Sequence, residues 1–174
     1  KREDIDKFVA GPGFQAWWLM NNLEGWGGPN PDWWYERQEQ LCKFILGRMR
    51  SLGMEPVLPG YGSILPSNAP EKMGVNVIDQ GYWCSGFRRP SFLLPTDKRY
   101  AEIAQLYYKH LEKVMGKSRY YSMDPFHEGG RTEGINLKEA YYTIYSEMQK
   151  HSPEAKWVIQ SWGDNPRKEA LDTI

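Results

Sequence analysis

Glu128 follows a β-rich run, residues 120–126, and stands directly before Gly129 and Gly130. A carboxyl there projects from a strand end with little side-chain cover after it. Glycoside hydrolysis uses two carboxyls, one as proton donor to the leaving oxygen and one as nucleophile or base. Asp124 lies four residues earlier, and strand alternation places Asp124, Phe126 and Glu128 on one face. The pair is therefore a candidate, although Pro125 interrupts the run. A plainer reading has Glu128 capping a helix or pairing with Arg131. His127 reads as a group that orients the carboxyl or touches a sugar hydroxyl, or as an ordinary hydrogen-bonded imidazole.

Indoles and amides stand near the other expected strand ends. They are Trp17, Trp18, Asn21 and Asn22, then Trp83, then Gln160, Ser161, Trp162 and Asp164. Carbohydrate fits this set best. A sugar ring offers a C–H face to an indole and a rim of hydroxyls to amides and carboxylates. Trp17, Trp83 and Trp162 are the pocket candidates, and Trp33, Trp34 and Trp157 read as core.

Positioning these groups requires a sheet. Residues 14–20 read as a first short strand, 55–61 as a second, 120–126 as a third and 156–162 as a fourth. Apolar residues at three-to-four spacing predict helices from Asp32 to Gly53, from Asp97 to about Met115 and from Leu137 to His151. Asp32 and Thr96 serve as expected N-caps, and Gly53 as a C-cap. Residues 62–95 read as a long, ordered, functional loop. Strands alternating with helices imply a parallel sheet with crossover helices. Both a doubly wound sheet and a (β/α)8 barrel fit. No Gly-x-Gly-x-x-Gly follows a strand and no Gly-Lys-Ser/Thr occurs, so dinucleotide and P-loop readings lose their support.

Composition narrows the classes further. The 22 Lys and Arg balance 22 Asp and Glu in 174 residues, which argues against a nucleic-acid-binding surface. A hydrophobic share of 40% with 14% aromatics is too high for a disordered chain. No apolar run reaches the roughly 18 residues of a membrane span. Cys42 and Cys84 are too few for a disulfide scaffold, and the scattered His and Cys make a structural zinc site improbable. One bridge or two free thiols are both compatible with the sequence.

Several stretches together resemble the α-N-acetylglucosaminidases of glycoside hydrolase family 89. They are residues 8–17 (FVAGPGFQAW), 20–29 (MNNLEGWGGP), 49–59 (MRSLGMEPVLP), 75–77 (VNV), 91–94 (SFLL), 121–128 (YSMDPFHE) and 157–162 (WVIQSW). They occur in the family's order and cover nearly the whole chain. The resemblance implies a partial (β/α)8 TIM barrel, about half of one, and makes residues 1–174 a fragment of a catalytic domain whose flanking parts are absent. It implies retaining, exo-acting hydrolysis of terminal α-linked N-acetylglucosamine from glycans. Glu128 matches the family's general acid/base; Trp17, Trp83 and Trp162 match its sugar-contacting tryptophans. His127 departs from the Asn that precedes the acid/base in the animal enzymes. The nucleophile is expected beyond Ile174, so the chain alone is expected to be inactive. The implied mechanism needs no cofactor and no metal. The implied partners are a glycan and the remainder of the catalytic domain, with no nucleic acid and no membrane span. The implied location is extracellular, periplasmic or lysosomal. A carbohydrate-binding module without hydrolysis is the alternative.

Overall fold

A three-residue ladder is all that survives of each long β-run. The computed structural model describes residues 1–126, 128 and 130–174, the side chain of Ser85 excepted. In chain order the elements are α1 (Arg2–Asp6), α2 (Gln15–Leu19), α3 (Asp32–Ser51), β1 (Val57–Pro59), β2 (Ile64–Leu65), α4 (Ala69–Met73), β3 (Val77–Ile78), β4 (Tyr82–Trp83), β5 (Phe87–Arg88), β6 (Ser91–Leu93), α5 (Tyr100–Met115), β7 (Tyr120–Ser122), α6 (Leu137–His151), β8 (Lys156–Val158) and α7 (Lys168–Leu171). Strands β1, β7 and β8 form a parallel sheet in that order, with Leu58 opposite Tyr121 and Tyr121 opposite Trp157. The expected α/β layering of parallel strands and helices is present.

Two element assignments fail. Residues 14–20 hold helix α2, not a strand, entered through a 3-10 turn at Pro12–Phe14. Pro12 suits the first turn of a helix, and Trp17 and Leu19 remain exposed because α2 lies outside the sheet. The segment 62–95 is ordered, as expected, but is not a loop. It carries α4, the antiparallel sheet β2-β6-β3 and the hairpin β4-β5.

Helix ends shift for local reasons. Asp32 is the first helical residue of α3, where its charge favours the positive helix end, and Pro31 is the N-cap. At the other end Leu52 is the C-cap and Gly53 turns left-handed at φ 74°. Met54 N donates to Met49 O and Gly53 N to Arg50 O, the paired bonds of a Schellman stop. Helix α5 begins later than expected. Asp97 is engaged by Asn76 N at 2.6 Å and by Arg99 N at 2.8 Å, which makes residues 97–99 a turn. Helix α6 keeps its expected bounds, with Asn136 accepting from Glu139 N.

The core is rich in tyrosine. Tyr108, Tyr121, Tyr141, Ile144 and Met148 are fully buried where the parallel sheet meets α5 and α6. Phe92 packs against Phe126 with tilted rings 4.5 Å apart, which fastens the β2-β6-β3 sheet to the end of β7. Trp157 belongs to this core, its Nε1 donating to Met123 O at 2.7 Å, and Trp34 is half-buried. Trp33 does not belong: it is 61% exposed on the open side of α3. Leu41, Phe44, Ile45 and Leu52 are likewise exposed, and Leu46 is the one residue of α3 that is fully buried. Cys42 and Cys84 are free thiols.

His151 ends α6 with its ring stacked on Tyr108 at 4.9 Å and only 7% of its side chain exposed. Burial first, then the charge of Lys117, holds its pKa below 6.5, with Glu112 opposing. Between that lowered value and 6.5 the unfolded chain binds more protons than the folded one, so stability falls as pH falls through the window. His151→Phe keeps the stack and removes the proton. Its melting temperature should fall less than the wild type's between about pH 7 and about pH 5; equal falls would contradict this assignment.

Candidate active site

Beyond Ser122 the β7 ladder ends and the chain turns sharply. Phe126 has φ 65° and Glu128 φ 47°, both left-handed. Such a conformation costs a non-glycine residue about 1–3 kcal/mol and persists only when the surroundings fix it. The strand alternation expected for Asp124, Phe126 and Glu128 therefore does not hold. Phe126 turns into the core against Phe92 and Tyr141. Asp124 Oδ1 accepts from Gln160 N at 2.9 Å and Asn165 Nδ2 at 2.8 Å, which ties down the loop after β8. Glu128 is exposed. Among the described residues, no ion pair between Glu128 and Arg131 is found. The Arg131 guanidinium lies against Gly81 instead.

Buried groups hold Glu128 from behind. Asn22, with 0% exposure, donates from Nδ2 to Glu128 Oε2 at 2.8 Å. Arg89, 3% exposed, donates from Nη2 to the Glu128 carbonyl at 2.5 Å and from Nη1 to Asn22 Oδ1 at 3.1 Å. Burial pulls the Arg89 guanidinium below its ordinary pKa, and Glu128 and Cys84 act in the opposite sense. On the far side Gly130 is pressed so closely that a Cβ would stand 2.9 Å from the Phe126 Cα. Gln80 Nε2 closes the turn by donating to Arg131 O at 3.0 Å.

The two arms that supply Asn22 and Arg89 also carry tryptophans. Helix α2 bears Trp17, whose carbonyl accepts from Asn22 N at 3.0 Å. Hairpin β4-β5 bears Trp83 and continues into Arg89, whose N donates to Gly81 O. Trp17 and Trp83 meet edge to face, with centroids 6.4 Å apart. Phe87 extends the cluster to Trp26, and Phe14 touches both. Trp162 is separate. It is 61% exposed on the 160–165 loop, closed by its bridge to Asn165. Thus Trp17 and Trp83 come together, Trp162 is linked to the same strand end through Asn165 and Asp124, and His127 lies outside the described residues. A cavity of about 390 Å³ on the other side of Asn21 is lined by Trp18, Tyr61, Leu106, Tyr107 and Met123. Trp18, Asn21 and Asp124 line it, whereas Glu128, Trp17, Trp83 and Trp162 do not. Among the described residues no His, Cys, Asp and Glu group could hold a metal ion.

Sequence reasoning missed Arg89, Trp26 and Phe87. Nothing in the sequence separates buried Arg89 from its partly exposed neighbour Arg88.

Parallel strands, covering helices and polar and aromatic groups beyond the strand ends define an α/β domain with its site at the C-terminal ends. The sequence model of the α-N-acetylglucosaminidase (NAGLU) TIM-barrel domain matches residues 1–171, and the chain belongs to this family. Human (Homo sapiens) α-N-acetylglucosaminidase is 36% identical over 167 residues, which are 91% of this chain and 22% of that protein. A family 89 glycoside hydrolase from Clostridium perfringens, solved with 2-acetamido-1,2-dideoxynojirimycin, superposes with a TM-score of 0.95 at 36% identity. All of this chain and 20% of that chain are covered. A Clostridium perfringens variant with two Glu→Gln replacements, in complex with its substrate GlcNAc-α-1,4-galactose, gives 0.93 at 35% identity, over 98% and 20% of the two chains. The chain thus spans about a fifth of the length of these relatives.

Removing the Asp124 carboxylate should free the 160–165 loop while the parallel sheet stays folded. Asp124→Ala is expected to lower stability by about 1–3 kcal/mol and to speed tryptic cleavage after Arg167. Unchanged protection at that bond would show that Asp124 does not hold the loop.

Proposed function

We propose that this chain is part of the (β/α)8 catalytic domain of a retaining exo-α-N-acetylglucosaminidase, with Glu128 as its general acid/base. The observation that carries the reading is Glu128 itself. Its carboxyl is exposed at a strand end, on a left-handed turn gripped by two buried polar side chains. The Trp17–Trp83 pair stands on the same two arms and offers indole surface for a sugar. Trp162 joins them from the next strand, and His127, adjacent to Glu128, completes the proposed sugar contacts. The substrate is a glycan ending in α-linked N-acetylglucosamine.

A retaining mechanism needs a second carboxyl about 5–5.5 Å from the first. Asp124 is committed to the 160–165 loop, so we place the nucleophile on a later strand of the parent protein. The substrate complex of the clostridial relative, with two glutamines in place of glutamates, agrees with a two-glutamate site. Residues 1–174 read as about half of a barrel. In support, the outer edges of β1 and β8 have no strand partner among the described residues, and α3 leaves its apolar stripe exposed. The remainder of the domain is the occupant of both. The reading needs no cofactor, and it places the parent protein outside the cell, in the periplasm or in a lysosome. Among the described residues no helix is long and apolar enough to cross a membrane. A binding module without hydrolysis explains the tryptophans, but leaves the buried support of one exposed carboxyl without a purpose.

In the complete gene product, Glu128→Gln should cut kcat/KM by about 10²–10⁴-fold for a glycoside with a sugar-like leaving group. The loss should be much smaller for an activated aryl leaving group, which needs little protonation. Only α-anomers should be cleaved. Full activity of Glu128→Gln on the sugar-like substrate would overturn the assignment. The 174-residue chain alone should turn over nothing; turnover by it would overturn the split of the two carboxyls.

A further inference from the structure

Glu128 has two carboxylate oxygens, and the structure treats them differently. Oε2 accepts from Asn22 Nδ2 at 2.8 Å. The orientation of that amide is not free. Asn22 Oδ1 accepts from Arg89 Nη1 at 3.1 Å, and the side chain is completely buried. Flipping the amide would set its oxygen against the carboxylate and its NH2 against the guanidinium, two contacts of like polarity. The guanidinium thus fixes which end of Asn22 faces Glu128. The same guanidinium also donates through Nη2 to the carbonyl of Glu128. That bond holds the left-handed backbone, whose relaxation to negative φ would swing the carboxyl away.

We propose that Arg89 is a positioning residue for Glu128: by locking the Asn22 amide and the Glu128 carbonyl it dedicates Oε2 to a permanent hydrogen bond and leaves Oε1 as the oxygen that carries the proton. The inference rests on the reading of Glu128 as general acid/base. In the first step the Oε1 proton passes to the glycosidic oxygen as the bond to the anomeric carbon breaks. In the second, Oε1 takes a proton from a water whose oxygen bonds the anomeric carbon as the bond to the second carboxylate breaks. Oε2 stays an acceptor throughout, so the carboxyl need not rotate between the steps. Arg89 touches neither the substrate nor the transferred proton; it acts through Asn22 and through the backbone of Glu128. Cys84 is the other titratable group coupled to its charge.

The test uses the complete gene product with Arg89→Gln and Arg89→Lys, beside Glu128→Gln. Arg89→Gln should lose about 10²-fold in kcat/KM on the sugar-like leaving group and far less on the activated aryl one. The alkaline limb of its pH profile, which reports the acid, should move to higher pH because a neighbouring cation is gone. Arg89→Lys keeps the charge and should recover the limb but only part of the rate. Should Arg89→Gln not fold, Arg89→Lys decides by its leaving-group dependence. Equal losses on both substrates with an unmoved limb, in folded variants, would reduce Arg89 to a structural role. If Glu128→Gln itself keeps full activity on the sugar-like substrate, the acid/base reading fails first and this inference with it. If Glu128→Gln is inactive there while Arg89→Gln behaves as wild type, only the positioning role fails.

Discussion

A guanidinium buried at 3% exposure organises the site. A buried charge without hydrogen-bond partners is costly, and breaking up such an arrangement typically destabilises by about 3–5 kcal/mol. Arg89 therefore draws acceptors from distant parts of the chain: Asn22 Oδ1, the Asn21 carbonyl and the Glu128 carbonyl. Residues 21–22, 89 and 128 are far apart in sequence and meet on this one group. The neighbouring Arg88 repeats the pattern at the protein's edge. Its carbonyl accepts from Glu24 N, and its side chain faces the Glu24 carboxylate. The 21–24 segment is thus stitched along the β5 arm. The tryptophans of α2 and of the β4-β5 hairpin are held as a consequence of these contacts.

This arrangement explains why a site lacking regular secondary structure can still be rigid. Strained residues survive where their surroundings over-determine them. Phe126 is pinned by ring packing in the core, Glu128 by Arg89 and Asn22, and Gly130 by close contact with Phe126 and Gln80. The three clamps come from different sheets and loops. The carboxyl at their centre is left facing solvent.

Legibility in the sequence followed the length of each element. Helices α3, α5 and α6 show three-to-four apolar spacing over many residues, and their existence and approximate ends were readable. The parallel strands were readable from their β-branched and aromatic runs, though only three residues of each form the ladder. Strands of two residues in the 62–95 segment are too short to show any alternation, so a folded subregion read as a loop. The α2 segment is apolar and only five residues long, and periodicity alone cannot separate helix from strand at that length. Glu128, Trp17 and Trp83 were recognisable as candidates from residue type and position. Arg89 was not, because its importance lies in burial, and a charged residue is expected outside.

Proton donor and nucleophile differ in what happens when each is deleted, and this gives the most direct test of the central assignment. Glu128→Ala in the complete gene product should be slow on an activated aryl α-N-acetylglucosaminide, and sodium azide should accelerate it. The product's anomeric configuration, read by NMR, reports the role of the deleted carboxyl. The account predicts the α-azide, formed when azide attacks the glycosyl-enzyme in place of an unactivated water. The β-azide, formed by direct attack on the substrate, would make Glu128 the nucleophile and contradict the account.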